Sequence, residues 1–372
     1  MRVAIVGPVF PYRAGIAYCT TRLAEELAKT DEVSVVSFSR QFPKSLYPGS
    51  SDIDETLRAR TPPGARFLLD IVNPLTWLRT GLRLRRDRPD AVILVWWVWV
   101  WALPYLTLLA LLPKTTRVIL QCHNIGDKEP AIWKRALTDL VLRRGDSLVV
   151  HAQSEADDAA GRLGPPRSDR IVKTFLPVHE LGTSTPSRDE ARTRLGLDGN
   201  VALFFGHVRP FKGLDIALRA WRRLTVRATL AVAGEAWWNA AAEYRAMAEG
   251  LDNVRLDLRF IPDSEIGDWF GAADVVLAPY RTEAQSGVAL TAFHFARPVI
   301  ATSVGGLPEI IVEGENGMLV PPEDPVALAR AVDAFFSIAD RAAMEQAAAA
   351  SARRYSWAEY AGVFRRLLPA SA

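Results

Sequence analysis

The 372-residue sequence has few of the residues that build disulfide-bonded or metal-bound proteins. It contains two cysteines, Cys19 and Cys122, which are too few for a disulfide framework and suit a reducing cytosol. There is no CxxC pair and no Cys/His cluster at zinc-ligand spacing. No DxD-type pair of acids stands out at the end of a predicted strand. We therefore expect a cytoplasmic protein whose chemistry needs no metal and no bound cofactor.

The sequence also lacks a recognisable targeting or membrane-spanning segment. Met1–Val6 runs straight into a strand, without the basic region and long apolar core of a signal peptide. The uncharged run Ala91–Leu112 could span a membrane by length alone. We reject that interpretation because Asp90 precedes the run, Pro104 interrupts it, and Arg117–Cys122 continues as another strand. A buried strand followed by an apolar helix fits better.

Four tryptophans crowd this run, more than the core of one strand needs: Trp96, Trp97, Trp99 and Trp101. Core packing is one interpretation of these residues. The other is that alternate rings face a binding site and form a wall that stacks on sugars or contacts lipid.

Length and charge indicate a two-domain globular protein with an uneven charge distribution. A chain of 372 residues exceeds one typical domain, and 49% hydrophobic with 23% charged residues is ordinary for such proteins. Residues 1–180 carry 25 Lys+Arg against 19 Asp+Glu, whereas the remainder carries 20 against 23. The basic excess is concentrated in Arg79–Arg88. This cluster is either a solvated helix face or a contact with an anionic membrane surface or phosphorylated ligand. A nucleic-acid partner is not expected.

The N-terminus forms a predicted strand, loop and helix that lacks the dinucleotide fingerprint. The strand Val3–Gly7 leads through a loop to Gly15 and Ile16, where a helix begins. Only Gly7 and Gly15 are present where GxGxxG would require three glycines. This lack argues against a nicotinamide cofactor.

The most informative stretch runs from Glu283 to Glu309. Its first acid follows the apolar strand Val275–Pro279, and Ser286-Gly287 then opens a helix. Amides at a helix start favour an anion, and glycine allows a ligand to approach the backbone. The strand Pro298–Thr302 and a Gly-rich turn follow. This order predicts a site for a phosphorylated ligand at the carboxyl edge of a parallel sheet.

A second stretch, Gly206–Gly213, has a related arrangement. It lies between the strand Val201–Phe205 and a helix predicted over Leu214–Leu224, and it contains Arg209 and Lys212. Two cations at a helix start form a sensible phosphate clamp. In the first half, His123 and His151 each close a predicted strand, which puts them at the same kind of sheet edge.

Together these motifs resemble those of the retaining glycosyltransferases of family 4, which have the GT-B fold. Glu283 matches the first Glu of the family's donor motif, and the second Glu is replaced by Thr291. Lys212 matches the lysine that holds the donor diphosphate. His207 stands where the family has an Arg, and Arg209 can take its place.

The resemblance implies a set of site residues on both halves of the chain. The catalytic candidates are His123, Glu283, Arg209 and Lys212. The donor-binding candidates are Gly15, Ile16, Gly206, Arg259, Gln285, Ser286, Gly287, Val288 and Thr291. The acceptor-side candidates are His151 and Trp97.

The resemblance also implies an architecture and an activity. We expect an α/β protein with two Rossmann-like domains facing each other across a cleft. Residues 1–180 would form the acceptor-side domain, 181–355 the nucleotide-sugar domain, and 356–372 a helix that crosses back to the first. The expected reaction moves a hexose from UDP- or GDP-sugar to an acceptor hydroxyl with retention of configuration. The alternatives are a degenerate GT-B protein that binds without turnover, and a sugar-nucleotide epimerase.

Overall fold

The computed structural model describes residues 1–13, 15–42, 51–126, 131–182, 185–237, 240–282 and 285–369. Its strands are, in chain order, β1 (Arg2–Val6), β2 (Glu32–Arg40), β3 (Arg66–Asp70), β4 (Ala91–Trp96), β5 (Arg117–Cys122), β6 (Ser147–Val150), β7 (Ile171–Lys173), β8 (Val201–Phe205), β9 (Thr229–Ala233), β10 (Val254–Asp257), β11 (Val275–Ala278), β12 (Val299–Thr302) and β13 (Gly317–Val320). Its helices are α1 (Gly15–Ala28), α2 (Pro74–Asp87), α3 (Ala102–Leu111), α4 (Ile132–Leu142), α5 (Gln153–Leu163), α6 (Arg188–Leu195), α7 (Leu214–Trp221), α8 (Ala241–Ala248), α9 (Asp263–Ala272), α10 (Gly287–His294), α11 (Leu307–Ile310), α12 (Pro325–Ser337), α13 (Ala342–Arg354) and α14 (Trp357–Leu367).

These elements form two compact units. Unit 1 comprises Met1–Pro177 and Trp357–Ala372, and unit 2 comprises Val178–Ser356. The chain therefore crosses between the units twice, and its last helix belongs to the first unit. On the unit 2 side of the two crossings, the N–H of Val178 donates to the carbonyl of Tyr355 at 2.8 Å.

Each unit is an α/β layer structure built on a parallel sheet. Among the described residues, unit 1 has the strand order β3-β2-β1-β4-β5-β6-β7 and unit 2 has the order β10-β9-β8-β11-β12-β13. The central strands are largely apolar, because helices cover both faces of such a sheet. In β4, for example, every residue from Ala91 to Trp96 is buried.

The run around the tryptophans follows the prediction of a strand and an apolar helix. β4 ends at Trp96, a 3-10 turn covers Trp99–Trp101, and α3 begins at Ala102. Trp96 and Trp101 are fully buried in the core of unit 1. None of the described helices combines the length and apolar character that a membrane crossing requires.

Several elements differ from the sequence-based expectation. α7 ends at Trp221, three residues before the predicted end at Leu224. Trp221 is buried, and its indole N–H donates to the carbonyl of Ala228 at 3.2 Å. The short edge strands β3 and β13 were not predicted from the sequence.

Candidate functional site

Two loops of unit 2 meet where the strand order of its sheet reverses. β8 and β11 are neighbours, and the chain continues from them toward opposite edges of the sheet. Such a switch point leaves a crevice at the carboxyl ends of the strands. One loop joins β8 to α7 and the other joins β11 to α10. A methyl group built on Gly206 would lie 3.4 Å from Cγ2 of Val288, so the two stretches singled out in the sequence are adjacent.

Lys212, in the first loop, lies over an aromatic ring that follows β11. Its Nζ is 3.8 Å from the ring centroid of Tyr280, which is buried. Ser286 Oγ donates to the Tyr280 hydroxyl at 3.4 Å and accepts the N–H of Ala289 at 3.2 Å, which caps α10. A cation over a ring face is favourable. One buried ring thus connects the Lys212 ammonium with the start of α10.

Arg281 holds the turn that carries Lys212 in place. The N–H of Arg281 donates to the carbonyl of Phe211 at 2.8 Å, and its guanidinium donates to the carbonyl of Pro210 and to Asp215. Burial alone would raise the pKa of Asp215, but the hydrogen bonds from Arg281 and Arg219 outweigh it and lower that pKa. The carboxylate therefore stays charged and keeps Arg281 in place.

The close approach of the same turn to β11 requires a glycine. Gly213 has φ +72, and a Cβ there would lie 2.0 Å from the carbonyl oxygen of Pro279. A side chain at this position would push the turn away from the sheet edge.

Arg209 is supported by an indole that the sequence did not single out. Its guanidinium carbon lies 3.6 Å from the ring centroid of Trp237, which is largely buried. His207 contacts the same ring edge-on, with centroids 4.9 Å apart. The two predicted phosphate-clamp cations thus each lie on an aromatic face, Lys212 on Tyr280 and Arg209 on Trp237.

The N-terminus of α10 packs against a histidine from the segment after the unit boundary. A Cβ on Gly287 would lie 2.5 Å from both Cε1 and Nδ1 of His179. His179 is 4% exposed, and burial lowers its pKa to about 4. The ring is therefore neutral near pH 7. Because it follows no strand and belongs to no motif, the sequence carried no sign of this contact.

The other donor-side candidates have varied environments. The Thr291 hydroxyl is buried and donates to the carbonyl of Gly287 at 2.8 Å, within its own helix. Gln285 precedes the cap of α10. Arg259 follows the edge strand β10 and forms ion pairs with Asp257 and Glu265. Glu283 lies outside the described residues.

In unit 1, the candidate histidines lie side by side at one sheet edge. His123 follows β5 and His151 follows the neighbouring strand β6. Their ring centroids are 5.0 Å apart, with the planes 30° from parallel. His151 is 2% exposed and His123 is half-buried. The parallel register brings the two rings together, as their positions after the strands predicted.

Three more candidates lie along the same edge of unit 1. Gly15 and Ile16 open α1 after β1, and Trp97 follows β4, the strand between β1 and β5. The half-buried Trp97 ring packs against Phe38 and Trp101, at centroid distances of 5.8 and 6.1 Å. Trp97 is thus part of an aromatic cluster and also partly accessible.

No group of three or more His, Cys, Asp or Glu side chains suited to a metal ion occurs among the residues that the structure describes. Lys212 and Arg209 place two cations at the loops of unit 2, where Asp215 and Glu235 contribute carboxylates as well. The two cations suit an anionic ligand such as a diphosphate.

Comparison with known proteins identifies two family models on this chain. Residues 14–173 match the model described as glycosyl transferase 4-like domain, and residues 199–337 match the model described as glycosyl transferases group 1. Together the two models cover most of the chain.

Similar proteins and solved structures agree with these models. The D-inositol 3-phosphate glycosyltransferase of Xylanimonas cellulosilytica is 35% identical over 238 residues, which span 59% of this chain and 56% of that protein. The protein of the same name from Streptosporangium roseum is 29% identical over 75% of this chain and 69% of its own length. The crystal structure of Anabaena Alr3699/HepE in complex with UDP-glucose has 16% identity and a TM-score of 0.78, and it covers 98% of this chain and 100% of that chain. By its domain models and its fold, the chain belongs to the family 4 glycosyltransferases of GT-B type.

Proposed function

We propose that the protein transfers a hexose from a nucleotide diphosphate sugar to an acceptor hydroxyl, with retention of configuration. The observation that carries the proposal is the arrangement in unit 2. Lys212 and the capped N-terminus of α10 share Tyr280, and Gly206 lies next to Val288, which a Cβ built on the glycine would meet at 3.4 Å. A cation and a helix start at one sheet edge form a cradle for a diphosphate.

The chemistry needs charge stabilisation more than it needs a base. Cleavage of the glycosyl–phosphate bond leaves negative charge on the diphosphate, and fixed cations and helix-start amides lower that barrier. Lys212 and Arg209 would supply the cations and Ser286–Val288 the amides. An aromatic face lies against each of these two cations and orients it.

Glu283 and His123 are proposed to act on the donor sugar, since the oxocarbenium-like transition state must be oriented. Glu283 would hold the donor hydroxyls. Front-face attack would let the leaving phosphate take the acceptor's proton. His151 and Trp97 are proposed on the acceptor side.

A nucleotide-binding assay separates the donor classes. Thermal shift with UDP, GDP, ADP and dTDP, each at about 100 times its dissociation constant, should show a stabilisation of about 2.7 kcal/mol for the nucleotide that binds. The uridine donor is tested first because the Anabaena protein was crystallised with UDP-glucose. Lys212→Ala should abolish the shift. Lys114→Ala, an exposed lysine in unit 1, is the matched control.

Turnover distinguishes the enzyme from its alternatives. Release of nucleoside diphosphate with an acceptor, by wild type and not by Glu283→Ala, supports transfer and removes the degenerate-binder alternative. A nucleotide sugar that changes its configuration and stays intact would indicate an epimerase. Nucleotide binding with neither reaction would leave a binding protein and end the transferase proposal.

We also propose a peripheral contact with anionic membranes through α2, in the cytoplasm at the inner face of the membrane. The helix carries the basic cluster Arg79–Arg88, and three leucines on one stripe are exposed, namely Leu75 (58%), Leu78 (45%) and Leu82 (56%). An apolar stripe beside cations is the pattern of helices that lie in a lipid interface.

Vesicle binding tests this contact and the class of acceptor. Co-sedimentation with anionic vesicles at low salt should be lost in Leu75→Ser/Leu78→Ser/Leu82→Ser and weakened by Arg→Glu changes in the cluster. Binding should also fall as salt rises. If the wild-type protein does not co-sediment with anionic vesicles at low salt, the proposed membrane contact is wrong. A soluble acceptor then becomes the proposal.

A further inference from the structure

A buried hydrogen-bond chain connects the last helix of the protein with the histidine pair of unit 1. Tyr360 on α14 is fully buried. Its hydroxyl oxygen accepts the Nε2–H of Gln121 at 2.9 Å and lies 2.7 Å from Nε2 of His151. The His151 ring in turn faces His123. Four residues from three elements are thus linked, although Tyr360 is more than 200 positions from the other three.

The position of Gln121 in the sheet explains why these hydrogen bonds form here. Side chains alternate across a strand, so Gln121 faces the side of β5 opposite to Cys122, where it meets Tyr360 of α14. A polar amide in the middle of an apolar sheet needs a hydrogen-bond partner. Tyr360 supplies that partner, and the parallel register of β5 and β6 brings His151 to the same hydroxyl.

The donor and acceptor roles at the Tyr360 hydroxyl decide which ring nitrogen of His151 carries the proton. Burial raises the pKa of Tyr360 well above its usual range, so the hydroxyl keeps its proton. That hydroxyl has one proton to give. The Gln121 amide occupies only an acceptor position of this hydroxyl, so its proton remains to be donated, and Nε2 of His151 lies within reach at 2.7 Å. A neutral imidazole that accepts at Nε2 carries its proton on Nδ1.

We propose that Tyr360 is a positioning residue, which fixes the orientation and the Nδ1–H tautomer of His151 and through that ring the orientation of His123. This proposal rests on the proposed transferase function for its catalytic consequence. The tautomer itself does not depend on that function. The last helix would then complete the histidine site as well as anchor the chain end, with Trp357 packed on Tyr18 of α1 at 5.8 Å.

The first measurement determines the tautomer in the wild-type protein. The sequence has five histidines, so single His substitutions suffice to assign its long-range ¹H–¹⁵N spectra. At pH 7.5, His151 should appear as a neutral ring protonated on Nδ1. A ring protonated on Nε2 would overturn the proposal, whatever the enzyme does.

The second measurement compares two matched tyrosines of unit 1. Tyr360→Phe keeps the ring among its aromatic neighbours and removes only the hydroxyl. Tyr105→Phe also removes a buried hydroxyl, one that donates to the carbonyl of Val95 at 2.9 Å and has no hydrogen bond to the histidines. Tyr360→Phe should mix the His151 tautomers, and Tyr105→Phe should leave them unchanged. Gln121→Leu removes the amide that donates to the Tyr360 hydroxyl, so it should also mix the His151 tautomers.

Kinetics adds the catalytic consequence. With the donor identified, Tyr360→Phe should lower kcat about 10- to 100-fold with little change in the donor KM, the range typical when a partner that orients a metal-ligating histidine is removed. An unchanged kcat and an unchanged tautomer in Tyr360→Phe would refute the positioning role. If wild type turns over no donor, the transferase function fails, and the spectra still decide whether Tyr360 positions His151.

Discussion

Replacing Gly287 with alanine should destabilise unit 2, because the added methyl group has no room. Its Cβ would lie 2.5 Å from two atoms of the His179 ring, well inside the optimum of about 3.5–4.0 Å for carbon contacts. The ring is 4% exposed, so it cannot move aside without opening the structure around it. Overpacking costs about 1–3 kcal/mol, and the better helix propensity of alanine returns at most about 1 kcal/mol. We expect a net loss of about 1–2 kcal/mol.

A double-mutant cycle shows whether the clash is the cause. Urea denaturation would give the free energy of unfolding for Gly287→Ala, His179→Ala and the double variant. Removing the imidazole opens the space that the new methyl group needs. The two changes should therefore couple by about 1 kcal/mol or more, with the double variant less destabilised than the sum of the single ones. Additive effects would show that the methyl group does not meet the His179 ring.

A second glycine provides the control for helix propensity. Gly161 lies inside α5, and a Cβ there would meet no atom within 4 Å. Gly161→Ala should therefore stabilise the protein by about 0.5–1 kcal/mol. Because Gly287 also begins the proposed diphosphate cradle, Gly287→Ala should reduce the thermal shift caused by the nucleotide, and Gly161→Ala should not. A stable Gly287→Ala protein with undiminished nucleotide binding would refute the geometry.

Three further predictions concern the supports of the donor site. Burial lowers the pKa of His179 to about 4, so between about pH 6.5 and pH 4 the unfolded chain binds a proton that the folded protein does not. The free energy of unfolding should therefore be unaffected by this group above pH 6.5 and should fall by up to about 3 kcal/mol as pH falls toward 4. Urea denaturation at several pH values should show this dependence of stability on pH in the wild type and not in His179→Ala. Arg281→Ala should lower the free energy of unfolding by about 1–3 kcal/mol and weaken nucleotide binding, which denaturation and titration would measure. Arg219 pairs with the same Asp215 carboxylate from an exposed position, so Arg219→Ala should leave nucleotide binding unchanged. Trp237→Leu should weaken nucleotide binding by about 0.5–2 kcal/mol in calorimetry by removing the ring beneath Arg209, and Trp237→Phe should lose less; equal losses in both variants would contradict the cation–π support.

The sequence predicted best what depends on local chemistry. Asparagine followed by proline is typical of a capped helix start, and α2 begins at Pro74 with the Asn73 side chain accepting the N–H of Leu75 at 3.2 Å. Ser286 was predicted to open a helix and does cap α10. Strand ends followed by charged or polar loops identified the sheet edges, because parallel strands bring their carboxyl ends together.

What could not be predicted depends on contacts between distant parts of the chain. No motif marks the three residues that support the β8–α7 loop, which are Tyr280, Trp237 and Arg281. Their importance comes only from contacts with that loop, which is distant from them in the sequence. Tyr360 belongs to no motif, and nothing in the sequence around it relates it to Gln121. The one available signal was a glutamine inside the apolar strand β5, because a buried amide implies a partner somewhere in the fold.

Both units support their candidate residues in the same physical way. A charged or ionisable group at the sheet edge is held by a buried aromatic side chain from another element, as Lys212 is by Tyr280, Arg209 by Trp237, and His151 by Tyr360. An aromatic ring orients a cation without adding a negative charge, whereas a carboxylate put in its place would add one beside the ligand site. For a reaction whose barrier depends on charge at a leaving diphosphate, that added negative charge would oppose catalysis. Replacing such a ring with an acid of similar reach should therefore harm catalysis more than replacing it with another apolar residue, even if the acid holds the cation more firmly.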